Sequence, residues 1–209
     1  MRHPGRVSHP VLLNAYAQGG RARARPDAEP LEAETLVNFV RIGWGQENPA
    51  FCRFFTNLFI PGGTPAQHRW WADLERETAT AEVAAETLRQ MQGIDVLDLC
   101  ARVDVPTLVL SCRADARVPF EQGAMIAARI PGARFVPLES ANHVLLPEEP
   151  AWDHFHRELA AFLGEPPPPR PQAGLTAAEV LRPLAEGLDN RSIARRLGKS
   201  ERRCATRSR

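Results

Sequence analysis

The sequence lacks the features that would place the protein in a membrane or around a metal ion. No apolar run reaches the roughly 18 residues that a membrane-spanning helix needs. No apolar signal segment follows the polar residues after Met1. The four cysteines, Cys52, Cys100, Cys112 and Cys204, have no C-x-x-C spacing, so neither a zinc site nor a disulfide framework is indicated. We therefore expect a cytoplasmic protein with no membrane partner, no metal and no cofactor.

A large excess of one charge is also missing, because the formal net charge is +1. The overall charge therefore gives no argument for binding to nucleic acid or to a membrane surface. The distribution is nevertheless uneven. Residues 175–209 contain nine Lys or Arg and four Asp or Glu, a balance of +5, which leaves −4 on the rest of the chain. This asymmetry singles out the C-terminal segment for electrostatic interactions.

Strands and helices alternate in the part of the chain before that segment. The predicted order is strand 106–111, helix 120–130, strand 133–138 and helix 148–163. Such alternation is typical of an α/β fold with a parallel sheet. A further apolar segment, 7–16, predicts another strand, although Pro10 within it cannot donate a ladder hydrogen bond. The spacing of apolar residues over 31–43 predicts a helix.

Residues 48–96 contain no convincing strand and are predicted to form a helical lid. The expected helices span 49–58, 65–78 and 81–91. Asn48 and Thr64 each precede a proline, and a capping side chain followed by proline is a good helix start. We expect six large side chains of this segment either to form a pocket wall or, as an equal alternative, to pack between the helices. They are Phe51, Phe54, Phe55, Trp70, Trp71 and Leu74.

An acid and a histidine follow two of the predicted strands. Asp115 lies in Asp-Ala-Arg-Val-Pro after strand 106–111, and His143 lies in Ser-Ala-Asn-His-Val-Leu-Leu after strand 133–138. An acyl-transfer triad needs an acid that orients a histidine, with both projecting from rigid strand ends. Taken singly, each residue is more often a turn or surface residue. Together, in this order, they resemble the acid and histidine motifs of the α/β-hydrolase superfamily, over about residues 1–163. The resemblance implies catalytic roles for Asp115 and His143.

The nucleophile of such a triad is missing from the pattern. None of the six serines lies in a G-x-S-x-G elbow. Residues 2–7 resemble the end of the helix that follows the elbow, so we expect the serine and the oxyanion-hole donors to lie before Met1. The chain is then the C-terminal half of an α/β-hydrolase sheet with its lid. The strand at 7–16 would have an exposed edge, through which the chain could associate with itself.

A proline-rich segment, 164–174, is predicted to be a linker to a separate domain. The segment 175–209 resembles a truncated LuxR-type helix-turn-helix, with Leu175-Thr176 as its entry and Gly187 at its turn. The resemblance implies DNA contacts by Asn190, Arg191, Arg195, Arg196, Lys199, Ser200, Arg202 and Arg203. Pro183 falls inside the first helix, and the residues after Ser200 offer almost no packing face. We therefore expect weak DNA binding with little sequence discrimination.

The main interpretation is a remnant of a transcriptional regulator. In it, a hydrolase-like sensor domain would bind a small molecule under the lid, and the tail would bind DNA. The alternative is a serine hydrolase of the α/β-hydrolase superfamily that acts on an ester, amide or C–C bond and is truncated before its nucleophile. A third interpretation is an accessory binding module. An in-frame G-x-S-x-G encoded before Met1 would favour the enzyme.

Overall fold

A computed structural model describes residues 6–23, 31–46 and 48–164 of the chain. The helices and strands are, in order, β1 (Val11–Leu13), α1 (Gly20–Arg23), α2 (Leu31–Gly43), α3 (Pro49–Phe59), α4 (Pro65–Thr78), α5 (Ala81–Gln92), α6 (Leu97–Cys100), β2 (Leu108–Cys112), α7 (Phe120–Arg129), β3 (Arg134–Leu138) and α8 (Pro150–Leu163). The strands and helices predicted after residue 105 are therefore present, with ends that move by one or two residues.

The three strands form a parallel sheet in the order β1-β2-β3. In the register of the sheet, Val109 of β2 lies opposite Leu12 on one side and Phe135 on the other. All five residues of β2 are buried. A parallel strand that is apolar along its whole length is typical of a sheet covered by helices on both faces.

Successive residues of β2 contact opposite layers of helices, because side chains alternate across a strand. Leu108 and Leu110 belong to a core cluster that α8 covers. Val109 belongs to a second cluster, on the other face, which α6 and α7 cover. Fully burying one such side chain stabilises the fold by about 1.5–3 kcal/mol. The predicted α/β arrangement is thus confirmed for the described residues.

The first strand is much shorter than the predicted segment 7–16. Pro10 has no N–H, although its carbonyl still accepts a hydrogen bond from the Leu108 N–H at 3.0 Å. After β1 the backbone of Asn14 turns into the left-handed region, with φ of 48°. The Asn14 N–H donates to the Leu110 carbonyl at 2.9 Å, and the ladder ends there. Within the described part of the chain, β1 pairs with β2 alone.

Helices α3, α4 and α5 begin at capping side chains, of which the sequence predicts the first two, Asn48 and Thr64. The Asn48 side chain accepts from the Ala50 N–H at 2.9 Å. Thr64 and Gln67 form a reciprocal capping box at the start of α4. Thr80 caps α5 by accepting from the Val83 N–H at 3.4 Å. These local hydrogen bonds explain why the helix starts could be predicted to within a residue.

Helices α2, α3 and α5 share a core of their own. Val37 and Val40 of α2, Phe55 of α3, and Ala85 and Leu88 of α5 are all buried in it. We call α2 to α5 together the helical layer. The Trp44 indole N–H, at the end of α2, donates to the Ala79 carbonyl at 2.9 Å and ties α2 to the turn between α4 and α5.

A carboxyl group is buried inside the helical layer. Glu75 of α4 is 7% exposed, and its carboxyl accepts a hydrogen bond from the Trp71 indole at 2.8 Å. Burial raises the pKa of Glu75 from 4.5 to about 7, and the Trp71 hydrogen bond opposes this only in part. The buried Glu75 carboxyl group is therefore mostly protonated below about pH 7.

The chain divides into two units, Met1–Pro168 and Pro169–Arg209. The predicted linker and helix-turn-helix lie outside the described residues, except Gly164, where α8 ends in left-handed backbone with φ of 69°. The predicted domain boundaries therefore stay predictions. Among the helices of the described segments, none is long and apolar enough to cross a membrane.

Replacement of Gly123 by alanine should destabilise the sheet packing of α7. A Cβ at Gly123 would lie 1.8 Å from the Ser111 Oγ and 3.0 Å from its Cβ. We expect Gly123→Ala to lower the free energy of unfolding by about 1–3 kcal/mol, the cost of overpacking a core. The better helix propensity of alanine offsets less than about 1 kcal/mol of this. Urea unfolding followed by circular dichroism measures the change.

A matched pair of variants tests the cause. The Ser111 hydroxyl is buried and makes no hydrogen bond within the described residues, so Ser111→Ala alone should be nearly neutral. The double variant Ser111→Ala with Gly123→Ala should lose less stability than Gly123→Ala alone. Equal losses in the single and double variants would show that the Ser111 hydroxyl is not the obstacle.

Replacement of Glu75 by glutamine should stabilise the protein at alkaline pH. Because the folded-state pKa of Glu75 lies above its ordinary value, its stabilising contribution is full below about pH 4.5 and is lost as the pH rises through about 7. Glutamine keeps an acceptor for Trp71 without a charge. We expect Glu75→Gln to exceed the wild type by about 2 kcal/mol at pH 8 and by little at pH 5.

Urea unfolding of both proteins from pH 5 to 8 measures this difference. Glu82→Gln, on the exposed surface of α5, is the matched control and should show no comparable rise between pH 5 and 8. A Glu75→Gln difference that stays constant with pH would contradict a buried, proton-linked carboxyl.

Candidate active site

Asp115 and His143 lie side by side at the carboxyl edge of the sheet. Asp115 follows β2 and His143 follows β3, and the His143 Nδ1 is 2.8 Å from the Asp115 Oδ2. The Asp115 side chain is 1% exposed and that of His143 is 22% exposed. The structure therefore brings together the two residues that were predicted as acid and base. Their catalytic roles stay a prediction.

Backbone donors hold the Asp115 carboxylate in place. Its Oδ1 accepts from the Arg117 N–H at 2.7 Å and from the Val118 N–H at 3.2 Å. The other oxygen is left for the His143 Nδ1. Since a carboxylate accepts hydrogen bonds, this arrangement places the proton on Nδ1 of His143 and leaves the lone pair on Nε2.

The helical layer holds the main chain of His143 from one side. The N–H groups of His143 and Val144 both donate to the Phe59 carbonyl, at 2.8 and 3.1 Å. The Phe59 ring meets the His143 ring edge to face, with centroids 5.6 Å apart. The Asn142 side chain accepts from the Gly62 N–H at 2.8 Å. The turn after α3 and the histidine loop are therefore a single bonded unit.

Asn14 holds the same loop from the sheet side and was not predicted. Its Nδ2 donates to the His143 carbonyl at 2.7 Å, and its Oδ1 accepts from the Cys112 N–H at 2.7 Å. The residue is 5% exposed. Its signal in the sequence is weak: a polar residue directly after the apolar run Val11–Leu13. Asn14 joins the ends of β1 and β2 to the residue that carries the imidazole.

A carboxylate supports the far end of the histidine loop. The Ser140 hydroxyl donates to Glu149, and Ser140 Oγ in turn accepts from the Asn142 N–H at 2.9 Å. The second oxygen of Glu149 accepts from the Leu146 N–H at 2.6 Å. Ser140 is therefore committed to the loop's own hydrogen bonds and is not directed at His143.

Nothing in the described residues is placed as a nucleophile for His143. Among them, no hydroxyl or thiol forms a hydrogen bond with the His143 ring. The nearby Cys112 is fully buried, and burial raises the pKa of its thiol to about 11, so it is protonated and unreactive. Within the same residues, no group of three or more His, Cys, Asp or Glu side chains could hold a metal ion.

An apolar cavity of about 210 Å³ lies within the helical layer beside this pair. Val40, Phe55 and Leu88 are among its lining residues, and Phe59 and Arg117 connect it to the histidine and acid loops. Of the six side chains predicted as a pocket wall, only Phe55 lines it. Phe51 and Phe54 pack against Phe39 of α2, with ring centroids 5.1 and 4.5 Å apart, as the alternative of inter-helix packing predicts.

Trp71 supports the cavity from behind without lining it. Its ring stacks on Phe59 with centroids 5.0 Å apart, and its indole N–H donates to Glu75. Trp70 packs against Trp71 at 5.8 Å, and Leu74 is partly buried in the same helix. The pocket-wall prediction is therefore wrong for Trp70, Trp71 and Leu74, because helical spacing cannot tell which apolar face meets a cavity.

No protein-family model matches the chain. Two proteins named as RutD carbamate hydrolases resemble it in sequence. The one from Pseudomonas syringae pv. syringae is 34% identical over an alignment 163 residues long, and the match covers 66% of this chain and 61% of the relative. The one from Pseudomonas savastanoi pv. phaseolicola is 28% identical over an alignment 159 residues long, and the match covers 65% of this chain and 59% of the relative. The chain thus spans about three fifths of the length of these curated relatives.

Solved structures of hydrolases also resemble the chain. An enol-lactonase from Burkholderia xenovorans has a TM-score of 0.61 at 21% identity, covering 78% of this chain and 59% of its own. A hydrolase from Pseudomonas aeruginosa has a TM-score of 0.59 at 21% identity, covering 77% and 57%. An esterase from Exiguobacterium antarcticum has a TM-score of 0.61 at 20% identity, covering 76% and 57%. At this identity the likeness shows the fold.

These relatives correct the main interpretation drawn from the sequence. The chain is similar to hydrolases, so the predictions of a LuxR-type transcriptional regulator and of DNA as its partner are wrong. A short amphipathic pattern with a local charge of +5 is not specific enough to identify a DNA-binding domain. The predicted DNA contacts lie outside the described residues: Asn190, Arg191, Arg195, Arg196, Lys199, Ser200, Arg202 and Arg203.

The hydrolase alternative agrees with the findings better than the regulator does. The relatives by sequence are named hydrolases, and the similar structures include an esterase and a lactonase. Over its matched part, the chain has an α/β-hydrolase fold with a parallel sheet and helices on both faces.

Proposed function

We propose that the chain carries the acid–base pair of a serine-type hydrolase that acts on an ester, amide or C–C bond. The observation that supports this most directly is the 2.8 Å contact between the His143 Nδ1 and the nearly inaccessible Asp115 carboxylate. The two RutD relatives are named carbamate hydrolases, and a carbamate has an acyl carbon of the same general class. Fold and pair together favour acyl transfer.

In this proposal His143 moves the proton. Its Nε2 takes the proton from the attacking hydroxyl and then gives it to the leaving group, while Asp115 keeps the imidazole in the required tautomer and stabilises its cation. Loss of the correct tautomer in such a triad costs about 10⁴-fold in kcat. The low exposure of Asp115 strengthens its interaction with the imidazolium, because little water screens it.

The nucleophile and the oxyanion-hole donors are assigned to groups outside the described residues. No serine among the 209 residues lies in a G-x-S-x-G elbow. Ser111 is buried against α7, and Ser140 is bonded to Glu149. The proposal therefore requires that a polypeptide segment carrying the elbow complete the site.

Asn14 is assigned a positioning role in the same proposal. Its amide fixes the His143 carbonyl relative to the end of β2, from which Asp115 also projects. The main chain of His143 and the Asp115 loop are therefore both held in position relative to the end of β2. Displacements of about 1 Å between catalytic groups can cost two orders of magnitude in rate, so such a clamp matters for catalysis.

The acid–base assignment predicts a specific pattern of activity. The isolated chain should not hydrolyse p-nitrophenyl acetate above background, because it has no elbow serine. Mixed with a polypeptide that supplies the elbow-bearing half of an α/β-hydrolase, it should gain turnover. In that mixture, His143→Ala and Asp115→Asn should lower kcat by about 10³- to 10⁴-fold.

His154 on α8, whose side chain is 38% exposed, provides the matched control. His154→Ala should leave the complemented rate unchanged, since this residue pairs with Glu158 away from the site. Turnover by the His143→Ala mixture at the wild-type rate would end the proposal. Independently of turnover, proton NMR of the chain alone should show a hydrogen-bonded His143 Nδ1 proton that Asp115→Asn alters.

Removal of the Asn14 amide should destabilise the fold and leave the His143 side chain less firmly positioned. Asn14→Ala leaves a buried Cys112 N–H and the His143 carbonyl without their partner, a loss of about 1–3 kcal/mol. Alanine in left-handed backbone, with φ of 48° at this position, adds about 1 kcal/mol.

Asn14→Gly separates the two causes. It removes the same hydrogen bonds but accepts positive φ, so it should recover about 1 kcal/mol relative to alanine. Urea unfolding measures both variants, and the His143 Nδ1 proton signal should broaden in both. An unchanged signal would show that Asn14 stabilises the fold without positioning His143.

A further inference from the structure

The apolar cavity of the helical layer is large enough for an organic group. Its volume is about 210 Å³. A cavity of roughly 150 Å³ lined by aliphatic and aromatic side chains stays dry and binds benzene. The walls here are of the same kind, with Leu36, Trp44 and Leu58 among them. A phenyl ring with a short methylene chain matches this space better than a small polar molecule does.

Two arginines, Arg23 and Arg117, lie near each other beside the cavity. Arg117 lines both the cavity and an adjoining small hollow, and Arg23 lines the hollow. Met91 also lines both, so the two spaces are adjacent. Among the ion pairs between described residues, neither arginine takes part. Neither guanidinium group is therefore paired with a carboxylate from the described part of the chain.

The Arg23 guanidinium group has a buried N–H donor without an acceptor among the described residues. Its Nη1 is buried and has no hydrogen-bond partner within the described residues. Its guanidinium carbon lies 5.9 Å from the centre of the Tyr16 ring. Burial lowers the pKa of Arg23, and the nearby charge of Arg117 lowers it further. An anion between the two arginines would relieve both effects.

We propose that the site takes an amphipathic carboxylate, with its apolar body in the cavity and its carboxylate between Arg23 and Arg117. Guanidinium groups bind carboxylates through paired hydrogen bonds, which makes this the anion that the arginines fit best. The way in which the carboxylate binds is inferred from the cavity and the arginines. The further statement that a substrate binds in this way rests on the proposed hydrolase function.

The geometry connects this site to the acid–base pair. The Arg117 N–H donates to the Asp115 carboxylate at 2.7 Å, so the anion site and the acid share one loop. Phe59 lines the cavity and also contacts the His143 ring. A ligand held by its carboxylate and its apolar body is thereby fixed from two sides beside His143. The substrate class is thus an apolar ester or amide that also carries a carboxylate.

The binding experiment compares phenylpropionate with phenylpropionamide, which share shape and differ in charge. Isothermal titration calorimetry on the full 209-residue chain should give at least tenfold tighter binding for phenylpropionate. Arg117→Gln and Arg23→Gln should each weaken phenylpropionate by about tenfold or more and leave the amide within about twofold. Arg102→Gln, at an exposed arginine elsewhere, is the matched control and should change neither affinity.

Two further measurements do not depend on the arginine variants. Raising the sodium chloride concentration on the wild type should weaken phenylpropionate and not the amide, because chloride screens and competes for the arginines. Ala84→Phe, which fills the cavity from its wall, should abolish binding of both compounds. Circular dichroism melting establishes that each variant is folded.

The outcomes separate this inference from the proposed function. Equal affinity for acid and amide, or an acid affinity unchanged in both arginine variants, would overturn the carboxylate site and leave the acid–base proposal intact. Binding that survives Ala84→Phe would overturn the cavity as its location. His143→Ala should still bind phenylpropionate. If the complementation assay shows that the acid–base pair is not catalytic, the measured affinities would therefore still stand.

Discussion

The complete burial of β2 is the constraint on which the rest of the described structure depends. A parallel strand without an exposed residue must be covered on both faces, so α8 packs on one side and α6 and α7 on the other. Because β2 and β3 are parallel, with α7 in the crossover between them, the loops that follow the two strands lie at the same edge of the sheet. Asp115 and His143 meet because both loops begin there.

The parts of the site that follow from this topology could be predicted from the sequence. Asp115 and His143 each follow an apolar strand within five residues, and the caps at Asn48 and Thr64 are local signals. Asn14 could not be predicted, because its amide bonds a carbonyl 129 residues away. Nor could helical spacing distinguish Phe55, which lines the cavity, from neighbouring aromatic residues that only pack between helices.

The mistaken regulator interpretation has a physical cause as well. The two parts of the chain offered evidence of different kinds. The tail has a short pattern of apolar and basic residues, whereas the hydrolase-like part has strands, an acid and a histidine in a fixed order. Amphipathic helix pairs with a basic surface arise in many settings, whereas parallel strands with an acid and a histidine at their ends constrain one another. The second kind of evidence agrees with the hydrolase relatives.

The main chain of His143 connects the sheet and the helical layer. Asn14 holds its carbonyl from the sheet, and the Phe59 carbonyl holds its N–H from the end of α3. Phe59 also lines the cavity and stacks on Trp71. Phe59 therefore contacts the cavity, Trp71 and the loop that carries the imidazole, so the shape of the cavity and the position of the histidine loop depend on the same residue.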